Sequence, residues 1–207
     1  MSEVMQHHGV EAAPFIKGPI QPGDALVSFY EPGIRGVGMD EAAEALRAGL
    51  GPEWRDEDIT DYDERRWNLG ELSIRDAVGP KEKVLELIDL ASEIEKPEVH
   101  GVADMSRGFV PELRNLLGAT CLGAEIDQPF DSKLVQLIRV RFPETFMYNN
   151  FSMAHGPIIA TPKPDGLLTA AEELAHEARV IGTIIEEPVI RIRSPRLESG
   201  EVLSYDA

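Results

Sequence analysis

A single cysteine, Cys121, excludes an internal disulfide and any zinc site built from several thiolates. No apolar run approaches the roughly 18–20 residues that cross a bilayer, so a membrane partner is not expected. The first residues, MSEVMQHHGVEAAPF, carry neither a basic region nor a continuous apolar core. Secretion is therefore not expected, and a cytoplasmic location is. Lysine is scarce, and 20 bases in all stand against 37 acids for a net charge of −17. Such a surface repels phosphate backbones, which argues against nucleic acid as a partner. An acidic, lysine-poor surface fits adaptation to high salt and plain solubility equally, and neither speaks to function. Also missing are HExxH, a Cys–His pair and a Ser-His-Asp order. No catalytic residue and no metal ligand is named from the sequence.

What remains is an ordinary globular composition, 43% apolar over 207 residues, enough for one large domain or two small ones. No linker or repeat divides the chain. Residues 1–14 read as a flexible leader, with His7-His8 a chance pair, and 15–207 as one domain. Pro22-Gly23-Asp24 is a turn that launches a strand at 25–30, and the alanine-rich 40–48 is a helix closed by Gly49, Gly51 and Pro52. The charged stretch 53–71 keeps Trp54 and Trp67 and reads as an ordered surface loop or lid. Helices are expected at 80–95, 110–117, 131–141 and 169–177. Strands are expected at 99–104, 119–126, at 152–161 with a break at Gly156-Pro157, and briefly at Leu167-Leu168. The closing runs 178–185 and 189–193 could pair as a hairpin through Glu186-Glu187-Pro188. Intermixed strands and helices predict a layered α+β domain with helices packed on a mixed sheet.

Three stretches carry candidate binding residues. In the loop after the first strand, Gly33, Gly36 and Gly38 would let backbone N–H groups approach an anion, and Arg35 could take a phosphate bidentately. The neighbouring Glu31, Asp40 and Glu41 oppose an anion there, and a plain strand-to-helix turn is the competing reading. Its spacing is neither G-x-x-x-x-G-K-[ST] nor G-x-G-x-x-G. In the second stretch, Asp104, Ser106, Arg107 and Gly108 join a strand to a helix, either as an anion contact or as turn and cap residues. The third, MYNNFSMAHG, places Asn149, Asn150 and His155 before an apolar strand, where amides could read a polar ligand. A lone histidine such as His155 is more often structural than catalytic.

In order, these pieces have a family look. Phe15-Ile16-Lys17-Gly18, then Pro22-Gly23-Asp24-Ala25-Leu26-Val27 and the glycine loop, resemble the start of the C-terminal half of aminoimidazole ribonucleotide (AIR) synthase, phosphoribosylformylglycinamidine cyclo-ligase. The resemblance continues through Val84–Ile88, His100–Phe109, Phe146–Tyr148 and Phe151–Gly156, and closes on Glu177–Ile184. It covers roughly residues 15 to 203. It implies that family's C-terminal-domain fold and a substrate-facing role for the three loops. The family's ATP- and Mg²⁺-binding half, with its Asp-Gly-Val-Gly-Thr-Lys and Gly-Gly-Glu segments, has no counterpart here. ATP and Mg²⁺ would then come only through a partner half, and this chain alone would not be a competent enzyme. The resemblance implies one half of a split ligase-like enzyme acting on a phosphorylated, purine-pathway-like small molecule. The alternative is a non-catalytic binding or regulatory module that kept the fold. In the first loop Arg35 stands where the family has histidine, and Val37 where it has asparagine. Homo-oligomerisation is left open.

Overall fold

The computed structural model describes residues 16–60, 66–70, 88–91, 97–118, 120–197 and 201–207. Its centre is a seven-stranded mixed sheet. The strands are β1 (Ala25–Tyr30), β4 (Gly101–Ala103), β5 (Gly123–Ile126), β6 (His155–Thr161), β7 (Ala178–Ile185), β8 (Val189–Ile192) and β9 (Leu203–Asp206). Their spatial order is β4-β6-β1-β7-β5-β8-β9. Only β5 and β8 run parallel; every other neighbouring pair in this sheet is antiparallel. A separate hairpin pairs β2 (Asp58–Thr60) with β3 (Arg66–Asn68). The expected α+β architecture is the one observed.

Alternation along β1 shows how both faces of the sheet are buried. Leu26 enters one core, while Val27 and Phe29 enter the other. The first core is roofed by α1 (Met39–Leu50), α2 (Phe109–Leu117), α3 (Lys133–Arg139) and α4 (Glu144–Asn150). The second is closed by α5 (Pro164–Glu173) through Leu167, Ala170 and Ala171, with Ile88 and Ala91 beside them. Among the described residues no helix is long and apolar enough to cross a membrane.

Several elements depart from the sequence expectation. Leu167-Leu168 is helical, because Pro164 opens α5 three residues after β6 ends and Leu167, Ala170 and Ala171 form its buried stripe. The strand expected at 152–161 begins only at His155 and runs unbroken through Gly156-Pro157, buried at every position. The strand expected over 119–126 is shorter, 123–126. A helix, α4, occupies 144–150, where the sequence expectation has none. The 53–71 stretch holds a 3-10 turn at Trp54–Asp56 and the β2–β3 hairpin, with Trp54 and Leu69 buried beneath. Finally, β7 and β8 are not a hairpin, since β5 lies between them. A Cβ on Gly123 would fall 2.1 Å from the carbonyl oxygen of Glu187 and 2.2 Å from that of Val189, so only glycine allows β5 to enter there. The leader 1–14 and most of the expected helix 80–95 lie outside the described residues, of which 88–91 are helical.

Candidate functional site

Strands β1 and β4 both pair antiparallel with β6, so they point the same way. The loop after β1, the turn after β4 and the segment before β6 therefore emerge at one end of the sheet. The three stretches singled out in the sequence are brought together there, around the exit from α4. Gly38 N–H donates to the Asn150 carbonyl at 3.4 Å, and Phe109 N–H to that of Phe151 at 2.9 Å. Ser152 holds the first loop from both sides. Its N–H donates to the Arg35 carbonyl at 2.6 Å, and its Oγ accepts from the Arg35 N–H at 3.0 Å.

The glycines permit this contact. Gly36 has φ +147°, and a Cβ on it would sit 1.8 Å from the Asn150 carbonyl oxygen. Gly108, at φ +118°, would place one 2.6 Å from the Asn149 carbonyl oxygen. Gly33 is buried inside the loop. Three non-glycine residues here are also left-handed: Met105 (φ 56°), Met153 (φ 56°) and Ala154 (φ 62°). Each such residue costs on the order of 1–3 kcal/mol, and strain of this kind collects where a chain must present groups in a fixed way.

Arg35 is buried, with 6% exposed. Its Nη2 donates to Glu31 Oε2 at 3.0 Å, while Nε and Nη1 are buried with no hydrogen-bond partner among the described residues. Arg107 is half exposed and donates through Nε to Glu112 Oε1 at 2.8 Å. Ser106 gives its N–H to Asp104 Oδ1 at 2.9 Å and its hydroxyl to Glu112 at 3.4 Å. The amides of Asn149 and Asn150 donate back along α4 to the carbonyls of Thr145 and Phe146, at 2.7 and 2.8 Å.

His155 is fully buried between Phe109 and Phe130, with ring centroids 4.7 and 5.2 Å away. Its Nε2 accepts the Phe130 N–H at 3.0 Å, which places the imidazole proton on Nδ1, 2.8 Å from Ser28 Oγ. Burial, reinforced by the Arg179 charge, holds its pKa well below the usual histidine value. It is a neutral core histidine in a site-forming position.

Sequence reasoning did not single out Ser152 as the clamp on Arg35 or Glu112 as the acceptor for Arg107. Glu112 was findable, because it stands in the first turn of the helix that directly follows the turn carrying Ser106 and Arg107. The left-handed pair Met153-Ala154 leaves no sequence signal.

A mixed sheet roofed by helices, with three stretches brought together at one end around the buried, Glu31-paired Arg35, defines an α+β domain. The chain belongs to the AIR synthase related protein family, C-terminal domain, which it matches over residues 21–194. Among solved structures it is similar to Thermotoga maritima PurL complexed with ATP, at 17% identity and TM-score 0.53. PurLQS from the same organism is similar at 16% and 0.51, and its phosphoribosylformylglycinamidine synthase II at 18% and 0.50. Each alignment covers 92% of this chain but 26% of the other, so the chain spans about a quarter of the length of these structures. No curated protein matches the sequence.

Proposed function

We propose that this chain is the substrate-loop half of an ATP-dependent enzyme of the AIR synthase type, acting on a phosphorylated small molecule together with an ATP-binding half on a separate chain. One observation carries the reading. The loops after β1 and after β4, far apart in sequence, both meet the 150–154 turn, and there two donor nitrogens of the buried Arg35, Nε and Nη1, have no hydrogen-bond partner among the described residues. Leaving such donors unpaired is costly, and an oxyanion would satisfy them. Arg35, flanked by Gly33, Gly36 and Gly38, is the contact for phosphate, with Arg107 at the rim of the same end.

ATP and Mg²⁺ belong with the other half in this reading. Among the described residues no three His, Cys, Asp or Glu side chains converge to hold a metal. No step is routed through a Mg²⁺–nucleotide site.

A second reading has its own support: Arg35 and Arg107 each meet a carboxylate, and both asparagines bond back to their helix. That pattern favours a non-catalytic module that kept the fold. Two measurements separate the readings. Affinity capture from the source organism should recover a homologue carrying the ATP-binding half, and phosphate monoesters should raise the melting temperature of the chain. Isolation as a lone species, with no thermal shift from any phosphate ester, overturns the half-enzyme reading.

A further inference from the structure

The Arg35–Glu31 contact is a poor structural tie. The first loop is held in place by its backbone: Glu31 N–H donates to the Ala154 carbonyl at 3.0 Å, and Arg35 uses both its N–H and its carbonyl on Ser152. The Glu31 side chain is not needed for that docking. Its carboxylate meets the guanidinium at one point only, Nη2, leaving Nε and Nη1 without partners among the described residues although the arginine is 94% withdrawn from solvent. A guanidinium binds oxyanions best as a fork, two N–H groups to two oxygens. A phosphate replacing the carboxylate can take Nη2 together with Nε or Nη1, and so satisfies donors that Glu31 leaves unpaired.

We infer that the Glu31 carboxylate is an internal competitor for the anion position at Arg35, exchanged for the oxyanion of a phosphorylated ligand on binding. This rests on the phosphate reading above and adds its regulation. The free chain holds a carboxylate against Arg35, and affinity is set by the difference between two anions at one guanidinium. Only ligands that offer two oxygens to the fork displace the resident one.

The test uses the full chain, titrated calorimetrically with inorganic phosphate at constant ionic strength, as wild type, Glu31→Gln, and Glu31→Gln with Arg35→Gln. Glu31→Gln is expected to bind phosphate about tenfold more tightly than wild type, and the added Arg35→Gln to abolish that gain. Equal binding by wild type and Glu31→Gln, lost in the double variant, overturns the competition while leaving the phosphate reading intact. No binding by any folded form overturns both. Should circular dichroism show that Glu31→Gln does not fold, the wild type alone decides by NMR. Phosphate should shift the Arg35 Nε–H resonance and move the Glu31 carboxyl carbon toward the position of an exposed glutamate. A shift at Arg35 with Glu31 unmoved overturns the competition, and no shift at either overturns both.

Discussion

Replacing His155 by phenylalanine separates a structural histidine from a functional one. A phenyl ring fits the slot between Phe109 and Phe130, but it orphans two buried partners, the Phe130 N–H and the Ser28 hydroxyl. Each unsatisfied group costs about 1–3 kcal/mol, so the variant should lose roughly 3 kcal/mol at about pH 7.5. The loss should then shrink in acid. The folded-state pKa of His155 is depressed well below the usual 6.5, so below that value the unfolded wild type takes up a proton that the folded one does not. Stability from this group is therefore present above about pH 6.5 and falls as the pH drops, by about 2 kcal/mol at pH 5. Phenylalanine has no such term. Urea denaturation of both proteins from about pH 7.5 to pH 5 reads the difference directly, because carboxylate titrations common to both cancel. The gap between the proteins should narrow from roughly 3 to about 1 kcal/mol. A gap that stays constant would show that the folded protein protonates His155 freely, refuting its neutral buried state. A gap under about 1 kcal/mol at neutral pH would refute the two hydrogen bonds.

Gly36→Ala forces a Cβ to within 1.8 Å of the Asn150 carbonyl oxygen and should cost on the order of 3 kcal/mol, seen as a lower urea midpoint together with lost phosphate binding. Arg139 is buried between Asp131 Oδ1 and Glu144 Oε1, each at 2.7 Å, so Arg139→Met strands two carboxylates and should cost about 3–5 kcal/mol by the same measurement. Arg35→Lys keeps the charge but not the fork, and should weaken phosphate affinity about tenfold in calorimetry with the melting temperature nearly unchanged.

The sequence carried the local elements well where turn signals bound a short apolar or periodic run. β1 and α2 sit within a residue of their expected ends, since turn glycines, prolines and apolar periodicity all act over a few residues. It also set the three candidate stretches in the right order, although nothing local says that they meet. Their convergence depends on β6 lying between β1 and β4, a long-range pairing. Continuous burial misled twice. β6 is apolar on both faces, which hid its length, and Leu167-Leu168 resembled a strand because two adjacent leucines have no period. The internal partners of the candidate arginines were visible only in part. Glu31 was noted as an opposing charge, yet whether such a neighbour repels a ligand or pairs with the arginine is set by side-chain geometry that spacing does not contain.

Placing β5 between β7 and β8 has a kinetic consequence. Residues 178–192 are close enough to zip into a local hairpin soon after they leave the unfolded state, whereas β5 must return across more than fifty residues to claim the position between them. Such a hairpin would compete with the native sheet, because β5 takes its place only where β7 and β8 stand apart. Glycine at position 123 is what leaves room for β5 in that place, so a larger residue there would weigh against the native order of strands.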